Sequence, residues 1–271
     1  MLIAALLIYA VILCACTAKD KADGGSADLC VRFFDMGKAD SMLLDCGGKY
    51  MLIDCGEKNS GKELVKALKE QGIDELEYLV ITHFDKDHVG GAEKVLKNLR
   101  VKNVLQNSRE KNSDEYEDYV EAVSAAEVKL ITVRDEYSFD LNGTGFRVTA
   151  GAGGYDKDKS NNFSLVVTAD HEGISFLFAG DIQSERIEEM LADGAEHADI
   201  LKIPHHGGEE EELPALLNAL TPSVAVITSS DEEPESESTM EALKEAGVKT
   251  YLTREGTVCI NVKNGNYEVK Q

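Results

Sequence analysis

Three apolar, strand-like runs in this chain each end in residues whose side chains can hold a cation. Tyr78-Leu79-Val80-Ile81 leads into Thr82-His83-Phe84-Asp85-Lys86-Asp87-His88-Val89-Gly90-Gly91. Ser175-Phe176-Leu177-Phe178-Ala179 leads into Gly180-Asp181, and Ile200-Leu201-Lys202-Ile203-Pro204 leads into His205-His206-Gly207. Four imidazoles and three carboxylates are then available, a mixed nitrogen and oxygen set suited to zinc, manganese or iron. His83 and Asp85 are two residues apart, so an extended loop turns both toward one cation. Asp87 and His88 are adjacent and point apart, which serves a second. Asp181 is the natural bridging carboxylate, and His205 completes the second set. A polar turn or a satisfied core histidine would explain any one of these segments alone. Their shared placement after apolar strands argues for one site. His171 and His197 lack that setting and read as surface residues.

Such a site needs strands that deliver their loops to one edge, because ligands in layered α/β folds gather at the carboxyl ends of strands. The patterning supplies them. Leu29–Phe34, Ser41–Leu44 and Tyr50–Ile53 read as short strands, the last two joined by the Gly47-Gly48 turn. Ser60-Gly61-Lys62-Glu63 reads as a capping box, with Leu64, Val65 and Leu68 on one helical face and Gly72 as terminator. Leu76–Thr82 is a strand, Ala92–Leu99 a helix and Val101–Leu105 a strand. Asn112 opens a helix with Tyr116, Tyr119, Val120 and Val123 on one stripe. Gly90 and Gly91 let the backbone approach closely where the Ala92 helix begins. Strands 129–133, 137–141 and 146–150 follow, then a loop over 151–161 and a hairpin of Phe163–Thr168 with Ile174–Ala179. The last third alternates helices (185–191, 213–220) with strands (199–203, 223–228). A second capping box, Ser238-Thr239-Met240-Glu241, precedes three closing strands. Hairpins mixed with βα units predict an α/β fold of two packed sheets with helices outside, as one domain over 29–271.

The chain has 271 residues, 50 acidic and 28 basic, for a formal net charge of −22. That length buries a substantial core. The charge argues against a protein that coats nucleic acid or an anionic membrane, yet it leaves open an enzyme presenting cations inside a cleft. Leu2 to Cys16 is an unbroken apolar run, shorter than the roughly 20 residues a membrane-spanning helix needs. It reads as a signal segment over 1–16, although no Lys or Arg precedes the apolar run. Leu13-Cys14-Ala15-Cys16 resembles a bacterial lipobox with Cys16 as the lipid acceptor, and residues 17–28 read as a polar tether. The competing reading is a buried N-terminal helix. Cys30, Cys46, Cys55 and Cys259 read as small buried hydrophobes, and no bridge is predicted between Cys46 and Cys55.

These residues resemble the metallo-β-lactamase superfamily, and within it the hydrolase domain at the C-terminus of ComEC competence proteins and related stand-alone hydrolases. The likeness runs from about Leu29 to the C-terminus. Phe34-Asp35-Met36-Gly37-Lys38-Ala39-Asp40-Ser41 is similar to that family's opening D-V-G-Q-G-D-S turn, and Leu52-Ile53-Asp54-Cys55-Gly56 to its L-I-D-x-G segment. Thr82–Gly91 resembles its signature, Asn161-Asn162-Phe163-Ser164-Leu165 its N-x-S-L strand, and Phe178–Ile182 its G-D-I turn. Leu201–Gly207 is close to L-K-x-P-H-H-G. The resemblance implies an αββα sandwich with a two-metal cleft, zinc first and manganese as the alternative. One ion would take His83, Asp85 and Asp181, the other Asp87, His88, Asp181 and His205, with the order of 205 and 206 reversible. Asp87 and His206 are the catalytic candidates, His206 contacting substrate or giving a proton to the leaving group. Asp54, Asn161, Asn162 and Lys202 are candidates for supporting the ligands or for oxyanion contact. Three departures stand out: Lys38-Ala39 in the opening turn, Gly208 after His-His-Gly, and no His-Pro in the loop 231–236.

Together these imply an exported, lipid-anchored, monomeric hydrolase using a metal-activated water on a phosphodiester or related ester. β-Lactamase activity is not expected, because Asp85 stands where a second histidine would be. The acidic runs Glu209–Glu212 and Asp231–Glu237 disfavour nucleic acid if they lie on the cleft rim, since they would repel a polyanion over about 8–10 Å. Small or envelope-derived substrates fit such a rim better. The other reading is a metal-holding lipoprotein that docks to an envelope partner without catalysis.

Overall fold

The computed structural model describes residues 28–155 and 160–271. The signal-like run, Cys16 and the tether through residue 27 lie outside the described residues. Two sheets follow. The first contains β1 (Leu29–Phe33), β2 (Met42–Cys46), β3 (Tyr50–Ile53), β4 (Glu75–Ile81), β5 (Arg100–Gln106) and β6 (Lys129–Thr132), with β14 (Val258–Lys263) and β15 (Asn266–Lys270) beside β1. The second contains β7 (Glu136–Leu141), β8 (Thr144–Thr149), β9 (Val166–His171), β10 (Ile174–Phe178), β11 (Ile200–Lys202), β12 (Val224–Ile227) and β13 (Lys249–Leu252), in consecutive spatial order. Hairpins build the outer parts, whereas β3 to β6 and β10 to β13 are parallel runs.

Strand alternation explains the layers. Val80, Phe176, Phe178, Ile200, Val224 and Val226 point into one core between the sheets. Their neighbours Leu79 and Ile81 point outward against α1 (Gly61–Glu70), α3 (Ala92–Asn98) and α4 (Asp114–Ala125). Leu177, Leu201, Ala225 and Ile227 point outward against α5 (Ser184–Ala192), α6 (Leu213–Leu220) and α7 (Glu237–Glu245). Strands buried on both faces read as continuous apolar runs, as these do. The result is the αββα sandwich. Leu64, Val65 and Leu68 are all buried on α1, each worth about 1.5–3 kcal/mol of removed apolar surface.

Several local expectations are corrected. Ser60 forms no capping box: it has helical dihedrals, and its hydroxyl donates to the Glu57 carbonyl. On α4 the cap is Ser113, which accepts from Tyr116 N, and Val120 faces solvent at 44% exposure. On α7 the cap is Ser236, accepting from Thr239 N, two residues before the expected start. The strand expected from Phe163 begins only at Val166, because Ser160–Phe163 forms a 3-10 turn. His171 is fully buried, with Nδ1 2.8 Å from the Thr144 hydroxyl, whereas His197 is exposed. Cys46, Cys55 and Cys259 are buried, and burial pushes the Cys46 thiol up to about 12. Cys30 is only half-buried.

The close approach expected at Gly90-Gly91 is present and has a steric cause. A Cβ on Gly91 would lie 2.2 Å from the Cys55 carbonyl, and one on Gly90 would lie 2.3 Å from Lys86 O and 2.4 Å from Lys58 N. All three obstacles are backbone, which cannot turn aside. Gly91→Ala is expected to destabilise the fold by about 2–3 kcal/mol through overpacking. In a domain of this size that lowers the thermal midpoint by about 5–10 °C. An unchanged midpoint by calorimetry would show that the two loops separate freely.

Candidate metal centre

The parallel strands β3, β4, β10, β11 and β12 all end at one edge of the sandwich, delivering Asp54, Thr82-His83, Asp181, His206 and Thr228 respectively. Bonds between the sheets lock that edge. Leu165 N donates to Thr82 O at 2.9 Å, and the Thr228 hydroxyl donates to Asp40 Oδ1 at 2.5 Å. The first βα loop continues into the short helix α2 (Lys86–Val89), which carries Asp87 and His88.

Asp87, His88, Asp181 and His206 present ligand atoms within 4.8 Å of one another. Asp181 Oδ2 lies 3.2 Å from His88 Nε2 and 3.2 Å from His206 Nε2. The two Nε2 atoms are 3.3 Å apart, and Asp87 Oδ2 is 3.3 Å from His206 Nε2. Ligands bound tetrahedrally at 2.0–2.1 Å lie about 3.3 Å from each other. The donor set therefore fits a divalent ion in both chemistry and spacing. His83 adds a third imidazole, its Nε2 3.6 Å from Asp85 Oδ1 and 3.9 Å from Asp181 Oδ2. That Nε2 and Asp181 Oδ1 are buried and make no hydrogen bond, as expected of atoms that serve a cation.

The surrounding groups fix the ring orientations. The Thr228 carbonyl can only accept, so His206 Nδ1 donates to it at 3.0 Å and Nε2 is the nitrogen turned to Asp181. His88 Nδ1 donates to Asp54 Oδ2 at 2.8 Å, a carboxylate–histidine pair of the kind that orients metal ligands. Asp54 also accepts from Thr82 N at 2.8 Å and from its hydroxyl at 2.7 Å, so one carboxylate orders both ligand strands. It does so from the left-handed region, at φ 56°. His205 and His206 share that conformation at φ 50° and 53°, strain of about 1–3 kcal/mol per residue that the surroundings must offset. Burial opposes charge on His88 and His206. The Asp181 carboxylate outweighs it in both cases, with Asp54 beside His88 and Asp40 beside His206. His88 is raised well above the ordinary imidazole range and His206 to about 9. Burial and the charge on His88 lower His83 to about 4. Asp181 and Asp87 overcome burial through the same imidazoles and are lowered.

Two further ion pairs complete the centre. Lys202 is fully buried, 2.5 Å from Asp40 Oδ2 and 3.7 Å from Asp181 Oδ1, and donates to Gly180 O. Lys111 Nζ lies 2.6 Å from Asp85 Oδ1. Asp40 and Lys111 escaped the sequence reading. Asp40 lay in the opening turn, where only its neighbours drew notice, and Lys111 lies on a loop with no motif.

The structure places the two adjacent histidines in the reverse of their expected order. His206 joins the cluster. His205 is turned away, with Nδ1 3.0 Å from Glu210 Oε1, and its ring centroid is 6.5 Å from that of His206. Asn162 supports the turn after Asp181, not the ligands: its Oδ1 accepts from Gln183 N and its Nδ2 donates to Glu185. For Asn161 the contact is a backbone one, its carbonyl accepting from Ser164 N. The acidic runs are partly neutralised. Glu210 accepts from Ser184 N, while Glu235 pairs with Arg254 and lies against Gly207, beside the cluster.

Comparison with known proteins agrees with this geometry. The chain is 28% identical over 217 residues to ComE operon protein 3 of Bacillus subtilis strain 168, covering 73% of this chain and 28% of that protein. Recombination protein 2 of Haemophilus influenzae is 28% identical over 200 residues, covering 72% of this chain and 23% of the relative. The chain thus spans about a quarter of the length of these relatives. Among solved structures, the metallo-beta-lactamase fold protein YhfI from Bacillus subtilis superposes with a TM-score of 0.55 at 11% identity, covering 90% of this chain and all of that one. The metallo-beta-lactamase superfamily model matches residues 35–229, most of the chain and every member of the cluster, and the chain belongs to that superfamily.

Proposed function

We propose that this chain is a metal-dependent hydrolase acting on a phosphodiester or related ester. The observation that carries this reading is the convergence of His88, His206, Asp87 and Asp181, with both Nε2 atoms turned to one point. These four residues would hold a divalent ion, zinc or manganese, which when bound would lower the pKa of a water and polarise the scissile ester. His83 and Asp85, with Asp181 between the sets, would hold a second ion. The chain's own residues do the rest. Asp54 and Thr228 orient the imidazoles, and Lys202 holds the Gly180-Asp181 turn. With His206 among the ligands, the leaving-group contact falls to His205, which Glu210 steadies.

An acidic rim beside Gly207 favours small or envelope-derived esters over nucleic acid as substrates. We place the protein outside the cytoplasm, lipid-anchored through Cys16, from its lipobox-like sequence. Among the described residues, no helix is long and apolar enough to cross a membrane. The reading is tested by metal analysis of the purified chain together with turnover of bis-p-nitrophenyl phosphate. At least one zinc or manganese per chain and metal-dependent cleavage are expected. Less than one metal per chain and no cleavage would sink it, whereas metal bound without cleavage would leave the metal-holding lipoprotein reading. Glu210→Gln is expected to lower kcat about tenfold with metal content unchanged, since it loosens the imidazole without touching a ligand. Full activity in that variant would remove His205 from the reaction.

A further inference from the structure

We infer that Lys111, on a loop that Asn107 and Arg109 anchor beside the metal centre, forms an anion subsite at its mouth and selects substrates with a negatively charged scissile group. This rests on the hydrolase reading and narrows it to phosphoryl esters over neutral carboxyl esters and lactams. The loop between β5 and α4 carries both cations, and Asn107 holds it rigidly against the site. Buried Asn107 donates from Nδ2 to Thr82 O at 3.0 Å and to Phe163 O at 3.2 Å, and its Oδ1 accepts from Arg109 N at 2.9 Å. The loop is thereby tied to the strand end that bears His83 and to the turn before β9. Arg109 stacks its guanidinium 4.0 Å from the Phe163 ring centroid, which fixes its charge in place. Lys111 reaches Asp85 at 2.6 Å.

The placement of these charges is unusual in a chain of net charge −22. The ligand carboxylates meet two ammonium groups, and the two differ in access. Lys202 is fully buried against Asp40, whereas the Lys111 side chain keeps 33% of its surface exposed. Lys111 is therefore the ammonium that an arriving substrate can reach. When Asp85 is engaged by a cation, Lys111 is left beside it as a donor of fixed sign, within side-chain reach of the reacting group. A phosphoryl oxygen satisfies that donor; a neutral carbonyl leaves it without a charge partner.

The test uses Lys111→Met and Lys111→Arg with the intact chain in its metal-loaded form. Calorimetric titration with inorganic phosphate is the first readout. The kcat/KM for bis-p-nitrophenyl phosphate and for neutral p-nitrophenyl acetate is the second. Lys111→Met is expected to weaken phosphate binding about tenfold or more. It should also lower kcat/KM for the diester by a similar factor, and change that for the acetate less than twofold. Lys111→Arg should recover most of the loss, and metal content should not change. Equal loss on both substrates, or metal lost from Lys111→Met, would show that Lys111 only steadies Asp85 and would overturn the proposal. Unchanged phosphate affinity would overturn it as well. If the wild type cleaves neither substrate, the hydrolase reading fails while the phosphate titration still decides the subsite.

Discussion

An Asp181→Asn variant is expected to lose at least nine-tenths of its bound metal and about a thousandfold or more in kcat/KM, a loss of about 4 kcal/mol of transition-state stabilisation. Asp181 faces three imidazoles and an ammonium of the centre. Asp181 Oδ2 lies within 3.2 Å of both His88 Nε2 and His206 Nε2, and its other oxygen faces Lys202. Without the carboxylate, two imidazoles that it holds in their charged form face each other at 3.3 Å. Asparagine preserves the shape and removes the charge, so the comparison isolates electrostatics. Both imidazoles must give up protons to ligate, so metal uptake by the wild type should release protons to an unbuffered solution. A readout independent of turnover is the thermal midpoint. Zinc at a hundred times its dissociation constant should stabilise the wild type by about 2.7 kcal/mol and the variant scarcely at all. Equal zinc stabilisation of both would remove Asp181 from the ligand set.

The strands and the loops that follow them were legible because their signals are local. A doubly buried strand such as Ser175–Ala179 reads as an apolar run whatever surrounds it, and the residue after it must then lie at a sheet edge. What could not be read was direction. His205 and His206 are adjacent and chemically equal, and two consecutive left-handed residues decide which one enters the cluster. No propensity marks that conformation for histidine. Asp40 and Lys202 stand 162 positions apart and meet only because β2 and β11 lie in different sheets joined at one edge. His171, lacking a place after an apolar strand, reads from sequence as a surface residue. Its strand instead turns it inward, where Thr144 satisfies one nitrogen. The misplaced starts of α4 and α7 share another cause, since Asn112 and Ser238 each sit near a better-placed serine, Ser113 and Ser236.

Lys202→Met should destabilise the fold by about 3–5 kcal/mol, the cost of leaving one partner of a buried ion pair unopposed. Lys202 and Asp40 are both inaccessible to solvent and 2.5 Å apart. Burial opposes the charge on each, yet Lys202 and the nearby imidazoles hold Asp40 below the usual carboxylate range, while the Asp40 and Asp181 carboxylates hold Lys202 above the usual amine range. Methionine keeps most of the apolar stem and removes only the ammonium. Asp40 then keeps His88 and His206 as neighbours, so it should draw on those imidazoles and compete with Asp181 for them. The double variant Lys202→Met/Asp40→Asn removes the orphaned charge, and it should regain a large part of the lost stability. It should not regain activity, because the Gly180 carbonyl loses the ammonium that ties the Asp181 turn to β11. A double-mutant cycle by urea unfolding measures the coupling directly, and a value under about 1 kcal/mol would mean the pair carries no structural role. Stability returning without catalysis would show that the pair adds little net stability of its own and serves to aim the carboxylate on which the metal centre depends.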